Sequence, residues 1–105
     1  MLLHCVYLSL KPETEARELA ELMSALSSLS DEIDGMGCVD HGPNRDFESK
    51  SEDFPYGFVI PFNNAEALAR YAENPKHKRV AKGLIASCKG GADGIVVYDL
   101  ETGAL

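Results

Sequence analysis

The chain has no tryptophan, and its 105 residues include only 3 cysteines, 4 tyrosines and 4 phenylalanines. Cys5, Cys38 and Cys88 are widely spaced, with no CxxC pair or Cys/His cluster, so no metal site is written locally. Their odd number gives no disulfide framework and fits free, mostly buried thiols in a reducing cytoplasm. Positive charge is also scarce. Lys and Arg total 10 against 17 for Asp and Glu, a net charge of −7, which repels phosphate backbones and argues against nucleic-acid binding. No long hydrophobic run exists. The apolar start "MLLHCVYLSL" is too short to span a membrane and lacks a basic leader, so neither membrane insertion nor secretion is expected. Glycine-rich phosphate loops and serine or cysteine nucleophile motifs are missing too. Neither a repeat nor a linker interrupts the chain, and a single domain over residues 1–105 is the expectation.

Hydrophobic residues make up 45% and charged residues 26%, the balance of a globular domain. A core of this size buries a modest fraction of the surface, so burial against a partner would help. Residues 2–10 have strand composition and stop at Lys11-Pro12. Leu2, His4, Val6, Leu8 and Leu10 point one way; Leu3, Cys5, Tyr7 and Ser9 point the other. Both faces are apolar, so burial on both sides is expected. Over residues 14–29, Ala16, Leu19, Ala20, Leu22, Met23, Leu26 and Leu29 recur at helical spacing. A short second strand is placed at residues 36–41. Residues 42–55, "GPNRDFESKSEDFP", form a long polar loop of the length that is often functional. Tyr56, Phe58, Ile60 and Phe62 alternate in a third strand. Pro61 cannot donate to a ladder, which predicts an edge strand or its end. Asn63 and Glu66 suggest a capping box for the next helix. That helix halts at Asn74-Pro75, where Asn is a good N-cap and Pro suits the first helical position. Val80, Ala81, Leu84, Ile85 and Cys88 give the following helix its stripe, and the last strand spans residues 95–100.

The order is β-α-β-β-α-β with the second helix broken in two. This predicts an α+β, ferredoxin-like fold with an antiparallel four-stranded sheet. Right-handed crossovers place the helices on one face and leave the other bare. The first and last strands are apolar on that bare face as well. A second copy packing sheet to sheet is the simplest cover, giving a homodimer.

Chemistry concentrates in "YAENPKHKRV", residues 71–80. With Asn74 as cap, His77 is the third residue of its helix. The positive end of the helix dipole disfavours a protonated imidazole there, and a neutral one can accept a proton. Tyr71 lies in the last turn of the preceding helix, on its apolar side. The break can bring both rings to one pocket mouth. Alternatively, Tyr71 packs in the core and His77 caps or faces solvent. His4, in a buried strand, meets them only if its face lies under the helices; otherwise it is a core histidine with its own partner. His41 is read as exposed, Asp93 and Asp99 as structural, and the cluster Lys76, Lys78, Arg79 and Lys82 as a solvated helix face.

"HCVYLSLKP", "HGPN", "ALARYAENPKHKRV" and "GIVVYDLE" together resemble the stress-responsive A/B barrel (Dabb) domain, over about residues 2–101. The tyrosine-x3-proline-x-histidine pattern of Tyr71, Pro75 and His77 is the most specific piece, and His4 in its strand is the second. The resemblance implies a dimeric α/β barrel built from two ferredoxin-like subunits. It also implies catalytic roles like those in a plant polyketide cyclase of the family, which works without a cofactor. His77 would remove a proton next to a carbonyl, Tyr71 would hydrogen-bond the developing enolate, and His4 would orient the substrate. The chain departs from the family in having Asn74 where a histidine is common and Tyr56-Gly57 where an acidic residue or histidine is common. The aromatic residue that the cyclase has in its first helix finds no clear match; this helix offers Leu22 and Met23.

Three functions follow. The first is a pocket for a small apolar or phenolic molecule, with cofactor-free acid/base chemistry. The second is a non-catalytic stress-responsive binding or structural module. The third is a cofactor-free monooxygenase, ranked last because the chain has no tryptophan and no evident oxygen-activating device.

Overall fold

The computed structural model describes residues 1–103. Its strands are β1 (Leu2–Leu8), β2 (Asp40–Pro43), β3 (Tyr56–Phe62) and β4 (Ile95–Glu101), and its helices are α1 (Ala16–Ser28), α2 (Ala65–Glu73) and α3 (Pro75–Ser87). The strands form one antiparallel sheet in the order β2-β3-β1-β4. This is the ferredoxin-like α+β fold, and within one chain the sheet is open rather than closed into a barrel.

Register assigns the faces. Val6 lies opposite Phe58 on one side and Val97 on the other; His4 lies opposite Ile60 and Asp99. Directly opposed residues share a face. Leu2, His4, Val6 and Leu8 therefore look toward the helices together with Phe58, Ile60 and Phe62. Leu8, Ile60 and Phe62 meet Met23, Leu26 and Leu29 in the fully buried core. Each such side chain contributes about 1.5–3 kcal/mol through burial. Helix α1 packs along α3. Gly83 permits the close approach, since a Cβ there would lie 2.6 Å from Leu22 Cδ2.

Several boundaries differ from the sequence expectations. Helix α1 starts at Ala16 rather than 14, because the Thr14 hydroxyl donates to the Ser87 carbonyl instead of entering the helix. The cap of α2 is Asn64, whose Oδ1 accepts from Ala67 N at 2.9 Å, so Asn63 and Glu66 form no capping box. Strand β3 is internal, flanked by β1 and β2, not an edge. Pro61 is tolerated because β2 pairs only with Tyr56–Val59 and has ended before it. Gly37 N donates to the Pro61 carbonyl at 2.7 Å, but Pro61 has no N–H to return. The ladder lapses there, so β2 begins at Asp40 and Met36 keeps only a single bridge to Phe62. Strand β1 ends at Leu8, with Leu10 bridging to Cys88.

The face away from the helices carries Leu3, Cys5, Tyr7, Val96, Tyr98 and Leu100. Tyr7, Tyr98 and Leu100 are exposed in the single chain, so β1 and β4 are not covered on both sides by this chain alone. Among the described residues no helix is long and apolar enough to cross a membrane.

Candidate functional site

The site starts at the helix break. Asn74 N donates to the Tyr71 carbonyl at 3.1 Å and closes α2. Its φ and ψ, −65° and 128°, are the extended values favoured before proline. Its side-chain Oδ1 accepts from Lys76 N at 2.8 Å and from His77 N at 3.3 Å, opening α3. Pro75 at the first helical position has no N–H to satisfy. In an unbroken helix, residues six apart point roughly 120° away from each other at about 100° per residue. The break removes that offset. The rings of Tyr71 and His77 lie with centroids 4.1 Å apart.

His4 comes from the sheet. It faces the helices, and its ring sits edge-on to Tyr71 at 5.5 Å. Phe62 lies 5.2 Å from Tyr71 and 6.1 Å from His4, which holds both rings in place. His4 Nδ1 is 2.6 Å from Asp99 Oδ1. An ionised carboxylate only accepts hydrogen bonds, so Nδ1 donates and Nε2 is left as the second functional nitrogen. Asp99 thus pairs with His4 across the two strands. The clue was the alternation Ile95, Val97, Asp99, which puts Asp99 on the helix side of β4 once β4 is paired beside β1.

These four polar groups line one cavity of about 520 Å³ between helices and sheet, whose remaining wall is apolar and includes Leu68, Leu84, Ile85 and Val97. That is the size and character of a small-molecule pocket. Burial lowers the His77 pKa below its ordinary 6.5. The Ala72 carbonyl opposes this in part, without bonding Nδ1, and His4 and Lys78 add to the lowering. The imidazole is thus neutral at pH 7. Burial pushes the Tyr71 phenol well above its usual range, so it stays a protonated donor. His77 Nδ1 is buried with no hydrogen-bond partner among the described residues. Such an atom costs about 1–3 kcal/mol, and it is closed to solvent, so it is not the ring nitrogen that a ligand in the cavity reaches.

Other features lie apart. A larger cavity, about 680 Å³, lies on the opposite sheet face under the loop at residues 44–55 and contains no imidazole. The loop therefore does not close over His4, Tyr71 and His77. His41 is exposed and its Nδ1 lies 2.6 Å from the Tyr56 hydroxyl, outside the 520 Å³ cavity. Leu22 packs at Gly83 rather than lining that cavity, and Asn74 is engaged as the cap. Among the described residues no group of three or more His, Cys, Asp or Glu is placed to hold a metal.

Known proteins share this architecture. A dimeric ferredoxin-like protein of unknown function from Jannaschia sp. CCS1 is 46% identical, with 96% of this chain and 98% of that chain covered and a TM-score of 0.91. Hydroxynitrile lyase from Passiflora edulis is 14% identical over 99% of this chain and 94% of its own, with a TM-score of 0.81. A cofactor-independent oxygenase from Streptomyces nogalater, in a mutant form, is 12% identical over 99% and 94%, with a TM-score of 0.75. The latter two share the fold alone. No curated protein sequence matches the chain. The model of the Stress responsive A/B Barrel Domain matches residues 2–102. With nearly its whole length matched, the chain belongs to the stress-responsive A/B barrel (Dabb) domain family.

Proposed function

We propose that this protein is a homodimer that binds a small, mostly apolar carbonyl or phenolic molecule in the 520 Å³ cavity and performs cofactor-free acid/base chemistry on it. The observation that carries the reading is the pairing of opposite tendencies at one cavity wall. His77 is neutral and Tyr71 is a protonated donor, 4.1 Å away ring to ring. His77 takes a proton from the carbon next to a carbonyl, and the electron pair left behind moves onto the carbonyl oxygen. Tyr71 donates a hydrogen bond to that developing enolate oxygen. His4, held by Asp99, orients the substrate. The apolar wall excludes water, which strengthens both interactions.

Dimeric organisation of the 46% identical relative supports the homodimer, as does the exposed apolar sheet face. The names of the lyase and the oxygenase support only the use of this fold around small molecules.

The test is a thermal-shift screen of phenols, β-diketones and fatty ketones on the native protein, His77→Ala and Tyr71→Phe. Any stabilising ketone is then followed by NMR for loss of its α-proton signal in D2O. Stabilisation and exchange by the native protein alone support the reading. A ligand that stabilises the native protein without α-proton exchange leaves a binding module. No stabilisation by any probe, in a folded dimer, refutes the pocket.

A further inference from the structure

Strand β4 is the edge strand of the candidate site. It pairs with β1 only, and its other edge is free among the described residues. From Val97 to Glu101 every residue is exposed, with Tyr98 at 53% and Leu100 at 51%. Yet Asp99, which holds His4, sits in the middle of this stretch. The His4 side chain is 13% exposed and that of Asp99 is 42%. Edge strands with few buried contacts open at low cost in free energy. The anchoring half of the pair therefore stands on an edge strand whose second half is exposed in the single chain.

The opposite face of the same strand offers a remedy. Val96, Tyr98 and Leu100 point away from the pocket. Tyr98 packs edge-on to Tyr7 at 5.8 Å, forming an apolar patch across β1 and β4. Beside the patch stands the loop at residues 44–55, which walls the 680 Å³ groove with Ser49, Lys50, Glu52 and Asp53. The loop is built, not slack. Asn44 Nδ2 donates to Ser51 Oγ at 2.8 Å and to the Phe54 carbonyl at 2.9 Å. The Asp46 carboxylate accepts from Lys50 N at 2.8 Å and from both Ser51 N and Ser51 Oγ at 3.0 Å. These bonds hold its wall in place before anything docks. The wall carries both signs of charge, so under a two-fold axis it can meet its own copy; a wall of one sign would repel itself.

We infer that a second copy of this chain, seated on the open sheet face between Tyr98 and the loop, fixes β4 and through it the His4–Asp99 contact, so that the candidate pocket is complete only in the dimer. The inference rests on the homodimer and pocket readings above. Docking on Val96, Tyr98 and Leu100 removes the solvent that competes for the strand, and Asp99, between two docked residues, loses its freedom to swing away from His4. The partner need not touch the ligand. It acts on the site from behind the sheet.

The experiment compares the native chain, at high concentration and diluted through dissociation, with Tyr98→Glu and Leu100→Glu. Sedimentation reports assembly. Amide hydrogen exchange reports β4, and side-chain 15N–1H NMR reports His4, with Asp99→Asn as the control for the Nδ1–H signal. None of these readouts needs a ligand. The expected result is a native dimer with a single Nδ1-protonated His4 signal. The folded monomers should lose that signal and exchange their β4 amides at least about tenfold faster. Diluted native chain gives the same comparison if a variant does not fold. A monomer that keeps the His4 signal and native exchange rates overturns the coupling. A native chain that is monomeric throughout, or dimers undisturbed by both substitutions, overturns the face. Failure of the pocket reading is separate: it shows as no ligand stabilisation while the His4 and β4 results stand.

Discussion

Replacing Asn74 by alanine removes one oxygen that serves two backbone donors. Lys76 N is exposed and finds water at once, so its loss costs little. His77 N is partly buried, and its bond to Asn74 is long at 3.3 Å. Loss of an Asn N-cap typically costs about 0.5–2 kcal/mol, and one rehydrated donor with one weak bond points to about 1 kcal/mol. For a domain near this size that lowers Tm by roughly 4–8 °C. Pro75 remains, so α3 still starts at the same residue, but the first turn holding the His77 ring is looser. Thermal unfolding followed by circular dichroism measures the loss, with all variants at equal protein concentration because assembly shifts Tm. Asn74→Asp and Asn74→Ser keep an acceptor oxygen and should recover most of the stability. The reasoning is refuted if alanine and serine give the same Tm, or if alanine leaves Tm unchanged. Either result would mean that α3 does not depend on this cap, and that the approach of His77 to Tyr71 is set by packing alone.

Two further outcomes follow from the same structure. Burial lowers the His77 pKa, so its stability contribution is complete above 6.5 and is lost as pH falls through the lower folded-state value; the acid limb of any turnover also lies below 6.5. An NMR titration of the imidazole checks this, and a midpoint at or above 6.5 contradicts it. Gly37→Ala places a Cβ 2.5 Å from Pro61 Cγ and 3.0 Å from the Pro61 carbonyl oxygen, which should destabilise the fold by about 1–3 kcal/mol in urea unfolding. A loss below about 0.5 kcal/mol would show that the crossing strand shifts freely.

The helix break was legible because its signals are local. Asparagine caps, proline starts a helix, and both act within three residues of themselves. The same logic failed one element earlier. Asn63-Asn64 offers two adjacent caps, and the second takes the role, while Asn63 N donates to the Gly35 carbonyl, far away in sequence. The place of β2 was obscured by Pro61, whose missing donor is felt by a neighbouring strand rather than by its own. Asp99 was hidden most fully. Nothing beside it in sequence marks a carboxylate that pairs with a histidine. Its meaning comes from strand order and register, which set it opposite a histidine 95 residues away. The fold class survived these local errors because it depends on element order, which does not change when a boundary moves by two residues.

Strand β4 carries two interleaved messages in seven residues. Ile95, Val97 and Asp99 are addressed to the cavity, while Val96, Tyr98 and Leu100 are addressed to the bare face. The messages are kept apart only by the two-residue repeat of a strand. Deleting one residue before Ile95 and re-pairing the strand one step along would deliver each to the wrong reader. Leu100 would then enter opposite His4, and the Asp99 carboxylate would sit on the greasy side of the sheet. No single substitution does damage of this kind, because it changes one side chain and leaves every other on its own face.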